Sequence, residues 1–249
     1  MPAHDDRRRA RHLEELALAR RVSALHALGD PPSSGFWRTA AFEHRSDTAG
    51  VTLALTEVRP DSTFRIHIAE VSGTGLVAGV LAAQCCLSRL RQTGTVDLGR
   101  LNRDFLADPP AEEMLIAAGT LHLRSEEAEW TASFAGLQAP IAVDANGGVH
   151  ALRGTGPFLG MTETTFPVHR GQLVEGARLF WIAGSGARAL VPTFTQRLAK
   201  TNGVPLGDAV ADLGEELLTD LEPGFGLVLL GIERRVPLAG LPAPGANVE

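Results

Sequence analysis

The chain is short of the features that mark several large classes of protein. Two cysteines occur in 249 residues, and they are neighbours, Cys85 and Cys86. Adjacent residues on a helix point in different directions, which disfavours a disulfide framework and a sulfur-ligated metal site alike. No apolar run approaches the roughly 18 uninterrupted residues that a membrane span needs. The first apolar positions are broken by Glu14, Glu15 and Arg20, so no signal peptide is expected. Positive charge is scarce as well. A formal net charge of -6 argues against nucleic acid or an anionic membrane as the principal partner, since phosphate backbones reward clustered cations. The one dense basic cluster, Arg7, Arg8, Arg9 and Arg11, reads as the solvated start of a helix. These absences leave a soluble, cytoplasmic protein as the expectation.

With 44% hydrophobic residues, the length supports one large domain with a substantial core. Residues 1–29 are expected to hold a leading helix over 6–28. Its stripe of Leu13, Leu16, Ala17, Ala24 and Leu28 is widened by Leu18, Val22 and Leu25 and stopped by Gly29 and Pro31. The domain proper covers 30–236, and a tail containing Pro and Ala covers 237–249. Alternation predicts strands over 35–43, 51–58 and 64–70, and in the last Phe64, Ile66 and Ile68 alternate with Arg65 and His67, the pattern of a half-buried strand. Leu76, Val80, Ala83 and Leu87 then recur at helical steps over 75–91, and Asp97 is placed to cap a shorter helix over 97–106. Further strands are expected over 114–123, 129–134, 141–143, 149–152, 164–169, 178–182 and 224–234, with Asn146-Gly147-Gly148 as a hairpin turn. Two more helices are expected over 192–200 and 205–221, each opening on a proline. Strands grouped apart from helices predict an α+β layered sandwich.

The turn Ser72-Gly73-Thr74-Gly75 joins strand to helix, and Glu70 stands at its mouth. The run Ala69-Glu70-Val71-Ser72-Gly73-Thr74-Gly75, followed by a small-residue helix, resembles the active-site segment of PPM-type serine/threonine phosphatases in their bacterial SpoIIE-like branch. There the segment reads Gly-Asp-Val-Ser-Gly-x-Gly. Leu101-Asn102-Arg103, the loop Gly156-Pro157-Phe158-Leu159-Gly160 and the leading Ala19-Arg20-Arg21-Val22-Ser23-Ala24-Leu25 are similar to further stretches of that branch. The resemblance implies an α-β-β-α sandwich of two mainly antiparallel sheets flanked by helices. It also implies a two-cation Mn²⁺ or Mg²⁺ centre acting on phosphoserine or phosphothreonine. Its partners would be STAS-type phosphoproteins or other signalling proteins in partner-switching circuits that control sigma factors, with the leading helix mediating homodimer contacts.

Such a centre holds two hard cations about 3.5 to 4 Å apart and needs several carboxylate oxygens. Aligned on the family's motifs, the first acid position falls on Val51, the second on Glu70, the third on Gly184 and the last on Pro223-Gly224. Glu70 keeps the charge on a side chain one methylene longer and is the sole metal candidate; the other positions offer no side-chain oxygen. Asp47, in the turn Ser46-Asp47-Thr48, has a simpler role in bonding its own turn. The expectation is therefore a degenerate member, a pseudophosphatase with no catalytic residues and no cofactor, retained as a protein-binding regulatory module. The alternative is a residual metal-dependent phosphatase built on Glu70.

Other site chemistries find less support. Ser72 lacks the Gly-x-Ser-x-Gly elbow of a hydrolase nucleophile. His122, His150 and His169 sit singly in expected strands and read as surface or edge residues. The turn from Ser72 through Gly73 and Thr74 to Gly75 offers backbone N–H groups at a helix start, which suit an anion or an acidic partner, although a tight turn alone also calls for its glycines. Val51, Leu137 and Ile182 standing where polar groups are expected suggest a third reading, an apolar ligand in the vacated site.

Overall fold

A computed structural model describes Ala17 and residues 36–45, 50–61, 63–73, 76–110, 114–124, 127–152, 154 and 156–235. Apart from Ala17, the expected leading helix lies outside these residues, as do Asp47, Thr74, Gly75 and the 237–249 tail.

Ten strands and four α-helices follow in the order β1 (Trp37–His44), β2 (Val51–Val58), β3 (Thr63–Ser72), α1 (Leu76–Thr93), α2 (Gly99–Ala107), β4 (Leu115–Arg124), β5 (Glu129–Ala135), β6 (Ile141–Val143), β7 (Val149–Ala151), β8 (Val168–Gln172), β9 (Arg178–Ala183), α3 (Ala187–Leu198), α4 (Leu206–Leu218) and β10 (Leu227–Arg234) among the described residues. They form two five-stranded sheets, ordered β1-β10-β9-β6-β7 and β2-β3-β4-β5-β8. Every pairing of these strands is antiparallel.

Strand alternation distributes the apolar residues over three layers of core. Phe64, Ile66 and Ile68 of β3 point between the sheets, where they join Leu121, Trp181 and Leu230. Ala69 and Val71, on the other face of β3, lie under α1 and α2 with Val80, Leu87 and Phe105. Phe180 and Ile182 of β9 pack outward on α3 and α4 with Phe194, Val210 and Leu213. The result is the α-β-β-α sandwich expected from the sequence. Because their sheet is covered on both sides, by the other sheet and by α3 and α4, β9 and β10 read as nearly continuous apolar runs rather than alternating ones. No described helix is long and apolar enough to cross a membrane.

Four expectations need correction. His122, expected at the surface or on an edge strand, is buried on β4, which lies between β3 and β5. His67 does not face solvent: it is fully buried, because α1 lies over that face of β3. The strand expected over 164–169 forms instead at Val168–Gln172, where it pairs with β5. The helix expected to open at Pro192 begins at Ala187, so Pro192 sits inside it. That start is set by the preceding turn, where the Ala187 N–H donates to the Gly184 carbonyl at 2.9 Å.

Candidate functional site

Glu70 sits near the end of β3, and alternation turns it toward the opposing sheet. Directly across the ladder its neighbours are Thr52 on β2 and Ala117 on β4. The carboxylate reaches the other sheet. Its Oε2 accepts the backbone N–H of Gly184, the residue that follows β9, at 3.1 Å. Two of the positions singled out in the sequence thus meet, through a carboxylate–amide hydrogen bond. Burial raises the Glu70 pKa above its ordinary value, and the Gly184 N–H only partly offsets that shift.

Gly184 has no room for a side chain. Its φ is +118°, and a Cβ built there would overlap the carbonyl oxygen of Gly226. The surrounding turn is knit together: Ser185 Oγ accepts the Gly226 N–H at 3.0 Å. Gly50 is confined in the same way, with φ +114° and a Cβ position 2.8 Å from the Val71 carbonyl oxygen. The acid at residue 70 is therefore approached by backbone from Gly184, where the resemblance calls for a carboxylate side chain.

Of the remaining expected positions, Val51 stays at this end of the sandwich, bordering a cleft with Thr52, Ser185 and Gly226, but brings no acid to it. Val51 falls on the opposite face of β2 from Thr52, in the core under α1, where its Cγ2 lies 3.2 Å from a Cβ built on Gly79. Pro223 and Gly224 form an exposed turn ahead of β10. Ser72 ends β3 opposite Leu115, and Gly73 follows at φ +143°; these are the described half of the turn that the sequence suggested for an anion or an acidic partner. Val51, Leu137 and Ile182, considered together as the wall of an apolar pocket, belong to three separate core clusters and line no common space.

Beside Gly184 a narrow cleft of about 40 Å³ opens at the end of the sandwich, walled by Glu43, Arg45, Thr52, Ser185 and Gly226. Its rim carries an ion pair, Arg45 Nε to Glu43 Oε1 at 2.8 Å. Gly226 and the Glu43–Arg45 pair escaped the sequence reading, since glycines before strands and charges at strand ends are too common to mark a site. Asn102 fared better. Fully buried, it donates to the Thr162 carbonyl and accepts the Gly160 N–H, tying the Leu-Asn-Arg stretch to the 156–160 loop.

A two-cation centre does not fit these residues. Among the described residues no group of three or more His, Cys, Asp or Glu side chains converges to hold a metal ion. Glu70 stands as a single carboxylate whose oxygen is already engaged by an amide.

No protein-family model matches the chain, and no curated protein matches its sequence. Solved structures do match in fold, and they are PPM-type phosphatase domains. The RsbU and RsbW domains of Rv1364c from Mycobacterium tuberculosis superpose with a TM-score of 0.67 at 22% identity, over 83% of this chain and 62% of that one. The SiaA-PP2C domain of Pseudomonas aeruginosa matches with a TM-score of 0.65 at 15% identity, over 95% of this chain and all of that domain (100%). RsbX, solved in complex with magnesium, matches with a TM-score of 0.63 at 12% identity over 82% of this chain and 98% of that one. The chain has the PPM-phosphatase fold.

Proposed function

We propose that this chain is a regulatory PPM-fold protein that binds a protein partner and does not carry out two-cation phosphoester hydrolysis. The reading rests on Gly184, a position where a metal-binding acid is expected and where the Gly226 carbonyl leaves no space for a Cβ. A PPM centre works by activating water between two cations, and Glu70 by itself supplies too few oxygens to keep them. Likeness to a chain carrying RsbU and RsbW domains supports a place in a partner-switching circuit of the STAS and anti-sigma type. In such a circuit an inactive sandwich docks the phosphoprotein or competes with an active phosphatase for it. Residues 1–29 are proposed to carry homodimer contacts, and deletion of Leu13 to Leu28 is expected to abolish self-association in sedimentation.

The deciding experiment is a calorimetric titration of Mn²⁺ and Mg²⁺ combined with an aryl-phosphate assay, on wild type and Glu70→Ala. Neither protein is expected to bind two cations or to turn over substrate. Metal-dependent turnover that disappears in Glu70→Ala would establish the alternative, a residual phosphatase.

A further inference from the structure

The outer face of the β2-β3-β4-β5-β8 sheet changes character along its strands. At the Glu70 end it is apolar: Val51, Leu53, Ala69, Val71, Ile116 and Ala118 lie under α1 and α2. At the other end a single cross-strand row reads Glu57, Arg65, His122, Thr131, Arg170, one residue from each strand in register. The adjoining row contributes His67, Thr120 and Ser133. Helix α1 covers the first part of this polar platform, where Arg91 Nε meets Glu57 Oε2 at 3.2 Å. Beyond the helix the platform is open.

Five buried polar atoms on these two rows have no hydrogen-bond partner among the described residues: Glu57 Oε1, Arg65 Nε, His67 Nε2, His122 Nε2 and Ser133 Oγ. Glu57 Oε1 lies 3.7 Å from Arg65 Nη1 and 3.9 Å from His67 Nε2, beyond hydrogen-bond reach, and a face made only to be covered would be apolar, as its other half is. The open part, which adjoins those five residues without being lined by them, is a cleft of about 670 Å³ with Arg124, Glu129, Trp130, Thr131, Arg170 and Gln172 in its walls and Thr95 from the α1–α2 connection at its side. That size suits a small-molecule ligand. His122, 8% exposed, sits in register between Arg65 and Thr131, at the boundary of covered and open platform.

The charges are arranged for an anion. Arg124 engages both nearby acids, Glu127 at 2.7 Å and Glu129 at 3.7 Å. Arg170 is exposed and makes no ion pair among the described residues, and it shares the cleft with the Thr131 hydroxyl, the Gln172 amide and Glu129, whose carboxylate lies 3.7 Å from Arg124. A guanidinium fork flanked by neutral donors matches phosphate oxygens. We propose that this cleft, on the far face of the sheet from Glu70, binds a phosphate-bearing small molecule through Arg170.

Pyrophosphate and adenosine monophosphate, titrated into the full chain by calorimetry, test the site, with the histidine ring nitrogens followed by NMR. Saturable binding is expected, with a shift at the His122 ring. Arg170→Ala is expected to weaken it at least about tenfold, the worth of one charge-assisted hydrogen bond. Glu70→Gln, which touches the other face, is expected to leave it unchanged. Arg170 is exposed, so its variant keeps the fold, which circular dichroism checks. Absence of saturable binding of both probes overturns the proposal. Binding that Arg170→Ala leaves alone, or that sulfate matches at equal ionic strength, does so too.

Discussion

Glu70 and Gly184 come from different sheets and hold each other across 3.1 Å, carboxylate oxygen to amide nitrogen. The bond fastens the end of β3 to the turn that starts α3. It also places an acid whose charged form burial disfavours at the mouth of the sandwich.

Glu70→Gln follows from that conflict. A raised folded-state pKa means the native protein holds its proton more tightly than the unfolded chain, so this contribution is whole below the unfolded value of 4.5 and is lost as pH rises through the folded value. A glutamine keeps an oxygen for the Gly184 N–H and never ionises. Thermal melts from about pH 4 to about pH 8 should show the variant gaining on wild type as pH rises through the range where carboxylates titrate. Parallel curves at all pH values would mean that the carboxyl titrates as if exposed.

His67 and His122 predict the opposite trend in acid. Burial, helped first by His122 and then by Arg65, pushes His67 down to about 3, and burial with Arg65 pushes His122 down to about 4, against an ordinary 6.5. Asp61 pulls His122 the other way and Arg91 adds to the depression of His67. The unfolded chain takes up these protons first, so their contribution is whole above 6.5 and is lost as pH falls from there toward 4 and 3. Denaturant midpoints should drop steeply over that window in wild type. In a His67→Gln, His122→Gln double variant the drop should be shallower.

Gly184→Ala carries two penalties at once, a left-handed backbone angle and overlap with the Gly226 carbonyl. Together they are expected to cost roughly 3 kcal/mol or more in urea unfolding. Gly184→Asp, which restores an acid by composition, is expected to be at least as unstable and to gain no Mn²⁺ affinity in calorimetry.

Arg178 anchors the opposite sheet. Its guanidinium pairs with Glu233 at 2.7 Å and donates to the carbonyls of Thr201 at 2.8 Å and Val204 at 2.7 Å, so it clamps the α3–α4 connection onto β9. Arg178→Met strands two carbonyls and leaves the part-buried Glu233 carboxylate with Arg38 alone, at 3.6 Å. A loss of about 3 to 5 kcal/mol is expected, read from chemical denaturation.

Much of this architecture was legible from residue order. The bounds of β2 and β6 agree with the expected 51–58 and 141–143, because alternation and the turns at Pro60 and Gly147 mark them locally. The β6–β7 hairpin formed as expected, although it is Asp144 that organises it by accepting the N–H groups of Asn146 and Gly148. What escaped depends on tertiary contacts. β8 is weakly apolar and takes its position from pairing with β5, so its own sequence did not mark where it begins. His67 looked outward because nothing in the strand announces the helix that covers it. At the site, Glu70 stood out through its motif. The partner amide of Gly184 could not, since a hydrogen bond between residues 114 positions apart leaves no trace in spacing.

The contact between Gly184 and Gly226 also constrains how such a chain can change. Because the obstacle is a main-chain oxygen, no replacement of the residue 226 side chain relieves it, and the segment between α4 and β10 has to be rerouted. Descendants that acquire a side chain at 184 are therefore expected to differ in the length of that connector, so the two traits should be inherited as a pair.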